Sequence, residues 1–247
     1  MTRVVLLDNV AHADLRVATG YAAHFGDAAN QCAVFPTEFN EVQREYPILF
    51  RQDAGGAFYA VALLGLDAHE NLFLDDAGWH ARHVPAVHQR GAFMIGMVER
   101  GTGEREAMIH VDLDHPRVGA ADGQAVFLPH GGQAPYLDHI VRVLQVVHDG
   151  LAQRDAMFAA FEAAGLIEPV RLEIMLDDNT RYDIPECFTI GGARLAALDG
   201  AALAALNRAG FLRHAVLVAS SLGNVSRLIE LKNRRRAGSR GAAPVAA

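Results

Sequence analysis

The sequence predicts an α+β fold, with antiparallel hairpins forming a mixed or antiparallel sheet, one long helix and a helical C-terminus. Three observations carry this. Apolar runs come in pairs around turn-forming residues at 48–66, 93–113 and 170–190. One stretch, 135–164, keeps helical spacing longer than any other. Strands and helices do not alternate one for one, as a parallel βαβ sheet would require.

Taken in order, 3–7 is an apolar run ending at Asp8-Asn9, and reads as a strand and turn, with 15–17 available to pair with it. Residues 31–35 read as a strand. Thr37 is placed to cap a short helix behind Pro36, with Glu38 and Glu41 in its first turn; Phe39, Val42 and Tyr46 share one face, and Pro47 ends it. The first hairpin pairs 48–50 with 57–66 across Asp53-Ala-Gly-Gly, and 72–74 is a third short strand. The second pairs 93–98 with 107–113 across Glu-Arg-Gly-Thr-Gly, followed by a loop at 114–123 and a short strand at 125–128.

In the long helix, Leu137, Ile140, Val141, Leu144, Val147, His148 and Leu151 trace one stripe, Gly150 weakens or breaks it, and Gly165 ends it. The third hairpin pairs 170–176 with 181–190, Pro185 weakening its second strand. Short helices follow at 191–198 and 200–209. Residues 211–218 read as a strand or a helix start, and 221–231 as a helix. A soft boundary near 129–135 separates a strand-rich part, 1–130, from 135–233; the two are expected to form one continuous fold, and 234–247 a disordered basic tail.

Composition narrows the function classes. At 51% hydrophobic and 21% charged residues, the 247-residue chain can bury a large core without disulfides or metals. The net charge is -7; the +5 contributed by Lys232, Arg234, Arg235, Arg236 and Arg240 leaves -12 on the rest. An acidic body argues against a nucleic-acid surface. Lys232 is the only lysine, which leaves no Schiff-base candidate earlier in the chain. Cys32 and Cys187 form no CxxC and read as two buried free thiols. With no secretory signal and no apolar run of the roughly 18–20 residues that spans a bilayer, the expected location is cytoplasmic, without a membrane span.

Twelve histidines invite metal readings. His80, His83 and His88 form HxxHxxxxH, but Pro85 disfavours the helix that would align them. His110-Val-Asp112 places both side chains on one face of a strand; with His148, or with His139 or His214, it matches the facial triad of a non-haem Fe(II) oxygenase. Against this, Asp112 and Asp114 also suit a turn before Pro116. There is no GxSxG elbow, P-loop or GxGxxG. Trp79, Tyr46, Phe58, Tyr59, Phe73 and Phe93 suit either a pocket or a core, and Arg44, Arg82 and Arg90 suit either a carboxylate clamp or surface pairs with Glu38, Glu41 and Asp75.

The segments EFNEVQREYPILF, VALLGL, ENLFLDDAGWHARHVPA and RGAF, in this order, resemble the SapC family. The resemblance extends to Asn9-x-x-His12 before Leu15-Arg16-Val17, to Ala134-Pro-Tyr-Leu137 and to 217–222, so it covers nearly the whole chain short of the tail. The family usually has Arg-Arg-Tyr-Pro-Phe where this chain has His88-Gln89-Arg90-Gly91-Ala92-Phe93, which leaves Arg90 as the one residue able to carry a role over. His80, His83, His110 and His148 are not part of the pattern.

The resemblance implies no defined reaction. It implies a soluble accessory or binding protein acting with a TonB-dependent uptake system or a flavin-dependent halogenase-like enzyme. The ligand is expected to be a small molecule or peptide, and a homodimer is compatible. The expected ligand site is Tyr46, Asn71, Trp79 and Arg90 converging on one concave surface, with Asn9 and His12 as a further ligand-facing loop. No cofactor is expected on this reading. The rivals are the Fe(II) oxygenase using His110, Asp112 and His148, and a surface-layer structural or assembly protein.

Overall fold

The computed structural model describes residues 2–99, 101, 105–177 and 179–241, the last three by backbone alone. The expected turn at 99–103 lies mostly outside these residues, as does the end of the tail.

The strands are β1 (Val4–Leu6), β2 (Arg16–Val17) and β3 (Gln31–Ala33); then, after helix α1 (Phe39–Val42), β4 (Ile48–Gln52), β5 (Phe58–Leu63), β6 (Leu74–Asp75) and β7 (Gly78–Trp79). Helix α2 (Ala86–Gln89) precedes β8 (Phe93–Glu99), β9 (Arg105–Asp112) and β10 (Gln124–Ala125). The long helix α3 (Pro135–Ala163) leads to β11 (Ile167–Met175) and β12 (Arg181–Ile190). Helices α4 (Gly192–Ala196), α5 (Gly200–Arg208), α6 (Leu212–Ser221) and α7 (Val225–Gly241) complete the chain.

The pairing among the described residues is antiparallel throughout. The five-stranded sheet has the order β11-β12-β4-β5-β3, and the three-stranded sheet the order β1-β9-β8. All three hairpins expected from the sequence are present. Pro185 is accommodated where the register of β11 and β12 shifts, between Val170↔Cys187 and Leu172↔Ile184, beside Glu186 at φ 56°. Two expectations for short strands need correcting. β2 pairs with β10, not with β1, which lies against β9. Of the run 72–74 only Leu74 is in a strand, β6, which among the described residues pairs with β7.

Helix α3 serves two cores, one from each half. Its first half buries Leu137, Ile140 and Leu144 against Val17, Phe93, Val111 and Val126. Its second half buries Met157, Phe158 and Phe161 in the larger core, where Phe158 meets Phe50 edge-on at 4.9 Å. Leu206, Ala215, Val218 and Leu228 from α5, α6 and α7 close that core. Both cores therefore draw on residues from either side of 129–135.

Gly150 does not break α3. A Cβ there would stand 2.4 Å from Phe35 Cβ and 2.7 Å from Thr37 Oγ1, so glycine lets the 35–37 segment lie against the helix. Thr37 is accordingly not a cap: its hydroxyl donates to Val146 O at 2.7 Å, and Glu38 instead accepts from Phe35 N at 3.2 Å. Val141 and Leu151, expected in the buried stripe, are 37% and 47% exposed, and His148 is exposed. Residues 211–218 are helical, with Ala215, Val218 and Ser221 buried at spacing three. Helix α7 continues to Gly241, so 234–241 are not a disordered tail: Arg235 donates to the carbonyls of Asn71 (3.0 Å) and Leu74 (2.7 Å), tying the helix end to the body. Among the described residues, no helix is long and apolar enough to cross a membrane.

Candidate functional site

The two most distinctive blocks of the sequence fold into one clasp. Glu38 and Glu45, at the two ends of the EFNEVQRE segment, are 3% and 6% exposed. Glu38 Oε2 accepts from Ala86 N and meets His83 Nε2, both at 2.9 Å. Glu45 accepts from Arg82 N at 2.6 Å and pairs with Arg227 at 3.2 Å. Between them Tyr46 is fully buried; its hydroxyl donates to His83 O at 2.7 Å and accepts from Trp79 Nε1 at 2.9 Å. Burial pushes the Tyr46 pKa far up, so it stays a phenol. These groups hold the 79–86 loop, while Glu45 also reaches Arg227 on α7 and Glu38 also receives Phe35 N.

Behind the clasp lies a buried ionic centre. Asp27 and Arg117 side chains are each 4% exposed and pair at 2.6 Å. Arg117 also donates to Gly20 O, and its guanidinium lies over Phe25 at 4.5 Å and Tyr21 at 5.2 Å. Gly91, at φ 51°, makes room for it: a Cβ there would come within 3.3 Å of Arg117 Cδ. Asp27 also accepts from Ala22 N at 2.9 Å and meets His88 Nδ1 at 3.1 Å. Burial raises its pKa, but the His88 and Ala22 hydrogen bonds and the Arg117 charge outweigh that and leave it lowered. Asn71, 2% exposed, holds the Asp27 carbonyl at 3.0 Å. His88 packs on Trp79 at 4.9 Å between ring centroids, joining the ionic centre to the clasp.

This centre forms one wall of a cavity of about 340 Å³ at the junction of the two larger sheets. β3 contributes Gln31 and Cys32; β8 and β9 contribute Met94 and Asp112; α2 contributes His88, with Arg90 just beyond it. A smaller cavity of about 100 Å³ shares His88, Gly91 and Arg117 and is closed by Tyr136 and His139. Arg90 is half-buried. It donates to Phe93 O at 2.9 Å, and its remaining nitrogens have no partner among the described residues. Burial lowers its pKa, with no carboxylate in ion-pair reach to offset this. His115, on the same wall, is lowered by burial and then by the Arg117 charge. Burial raises the Cys32 pKa well up, which keeps it a thiol; Cys187 is likewise free.

Of the six residues expected to contact a ligand, Arg90 alone lines this cavity. Trp79 packs on cavity-lining His88 and is held by Tyr46, whereas Asn71 lines a separate cavity of about 580 Å³ with Glu70, Asp75 and Arg235. Asn9 and His12 lie elsewhere: Asn9 donates to Gly131 O at 3.0 Å, and His12 Nδ1 accepts from Asp8 N at 3.0 Å. Asn9 ties two distant loops together and His12 holds its own turn; neither lines the cavity.

The iron triad is not assembled. Among the described residues, no three His, Cys, Asp or Glu side chains group to hold a metal. His110 meets its own strand at Met108 O (3.1 Å), Asp112 Oδ1 accepts from Asp114 N at 3.1 Å in a turn, and His148 sits exposed on α3. His214 meets Gly210 O at 3.1 Å. His80, His83 and His88 face three separate carboxylates, Asp75, Glu38 and Asp27.

Sequence reasoning missed Asp27, Arg117, Tyr21 and His115. Asp27 and Arg117 lie 90 positions apart, in two segments without regular spacing, and a single sequence carries no signal for that pairing.

Neither a curated protein nor a solved structure matches the chain. The SapC family model matches residues 7–228, a span that includes the clasp, the ionic centre and both cavities. The chain belongs to the SapC family.

Proposed function

We propose that this protein is a non-catalytic binding protein that holds a small carboxylate-bearing molecule or peptide end in the 340 Å³ cavity. The observation that carries this reading is Arg90, a half-buried cation at the cavity wall with unused donors and no carboxylate partner among the described residues. A planar guanidinium in that setting suits a bidentate anion. The neighbouring Asp27 charge is already matched by Arg117, so it does not compete for the same cation. The cavity has the size of a small-ligand site. Action beside a TonB-dependent uptake system or a halogenase-like flavoenzyme belongs to the same proposal and rests on the family resemblance alone; a cytoplasmic location is proposed with it.

The test uses the single tryptophan, Trp79, which packs on cavity-lining His88. Acetate, succinate, N-acetylglycine and diglycine are titrated against Trp79 emission and thermal stability. Saturable changes with one or more of them, weakened at least tenfold in Arg90→Met and less in Arg90→Lys, support the reading. Unchanged emission and stability with all four, or binding that survives Arg90→Met, refute it.

A further inference from the structure

His88 has one ring nitrogen in use and one idle. Nδ1 meets Asp27 Oδ1 at 3.1 Å. Asp27 is an ionised acceptor held by Arg117 and Ala22 N, so the proton of that hydrogen bond belongs to His88 Nδ1. On the neutral ring the lone pair is therefore on Nε2. This atom is buried and has no hydrogen-bond partner, in a side chain that is 10% exposed. Native folds rarely leave a buried acceptor empty, because it has given up water for nothing.

Among the described residues two other side-chain atoms share that condition, Arg51 Nε and Thr189 Oγ1, and neither residue lines the cavity. Arg51 satisfies its other nitrogens on Pro185 O, Glu186 O and Gln31 Oε1. His88 differs in standing in the wall between both cavities, with its ring pinned by Asp27 on one edge and by the Trp79 face. An unpaired acceptor fixed in tautomer and orientation, in a residue that lines both cavities, is arranged to receive a donor from outside the chain.

We infer that His88 Nε2 is a second ligand anchor, accepting a hydrogen bond from an uncharged O–H or amide N–H donor carried by the molecule that Arg90 holds. The inference rests on the carboxylate reading for the identity of that molecule. It narrows the ligand class to hydroxy- or acylamino-carboxylates, because a carboxylate lacking the donor leaves Nε2 desolvated and unpaired. Asp27 is a positioning residue in this scheme: it sets the tautomer without touching the ligand.

The experiment compares lactate with isobutyrate, which carries a methyl in place of the hydroxyl, on the full chain with ¹⁵N-labelled histidine. Lactate is expected to bind about tenfold more tightly, the difference one hydrogen bond makes. The preference should vanish in His88→Leu and persist in His88→Gln, whose amide oxygen can still accept. Equal affinities for the two acids overturn the inference.

The ring resonances give a readout independent of Arg90. The free protein should have Nδ1 protonated and Nε2 bare, and the opposite tautomer overturns the inference outright. Should neither acid bind, the carboxylate reading fails and acetamide, a donor without a carboxylate, becomes the probe. An acetamide-dependent shift at His88 Nε2 sustains the anchor, and its absence refutes it.

Discussion

Replacing Arg117 by methionine tests the ionic centre most directly. The substitution keeps a flexible apolar stem against Phe25 and Tyr21 but removes the charge. Asp27 is then left with His88 and Ala22 N, in a site where its side chain is 4% exposed. That burial decides the size of the effect. An exposed ion pair contributes about 0–1 kcal/mol, whereas orphaning one member of a buried pair costs about 3–5 kcal/mol. Asp27→Asn should cost a similar amount for the mirror reason, since Arg117 becomes the uncompensated charge. The double variant leaves neither charge stranded, so its loss should fall short of the sum by about 2 kcal/mol or more. The assay is urea unfolding at pH 7, followed by far-UV circular dichroism and Trp79 emission, with unchanged slopes as the check on two-state behaviour. Single losses below about 1 kcal/mol, or strict additivity in the double variant, would refute the reasoning.

Three further outcomes are expected. Gly150→Ala should lower the urea midpoint: the ~1 kcal/mol gained in helix propensity is outweighed by ~1–3 kcal/mol of overpacking, because the new Cβ stands 2.4 Å from Phe35 Cβ. A raised midpoint would exclude that close approach. Tyr46→Phe removes a buried hydroxyl that serves His83 O and Trp79 Nε1, and should cost ~1–3 kcal/mol while changing Trp79 emission; wild-type stability would dismiss the clasp as a structural element. Stability should also fall in two stages on acidification. His115 and His214 have lowered pKa values, chiefly from burial, so the unfolded chain takes their protons first; their contribution is complete above 6.5 and is lost as pH drops through the folded values. Asp27 is lowered too, so its contribution persists above 3.8 and is lost as pH falls through its folded value. Urea midpoints from pH 8 to pH 3 check this, and a flat profile between pH 7 and pH 5 contradicts the histidine stage.

Local features were legible in the residues. Asp53-Ala-Gly-Gly announces the β4–β5 turn, where Gly56 at φ 82° and the Asp53 carboxylate on Gly55 N and Ala57 N (2.8 and 3.0 Å) do what those residue types do. The spacing of Leu137, Ile140 and Leu144 announces α3 for the same reason. What failed was non-local. Gly150 reads as a helix breaker until Phe35 is seen beside it, and Arg235 reads as tail until the carbonyls of Asn71 and Leu74 are seen to receive it. In the site, aromatic and polar richness singled out Tyr46, Asn71 and Trp79, which do not line the cavity that Arg90 lines. Their partners turn out to be one another and the backbone, so composition could not separate a supporting wall from a contact surface. Arg90 alone of the four lines the cavity.

The order of strands has a consequence for synthesis. β4 and β5 leave the ribosome early as a ready hairpin, but the flank of β4 is occupied by β12, through the pairing of Phe188 with Phe50. At roughly 5–20 residues per second, the 138 residues from Phe50 to Phe188 leave that flank open for about 7–28 seconds. During that time an apolar strand buried in the finished protein offers unpaired amides to any neighbour. Ile48 waits longer still, since its amide is received by the hydroxyl of Ser221, close to the end of the chain. Nascent or prematurely terminated chains that stop before β12 should therefore need a holding chaperone that full-length chains have already released.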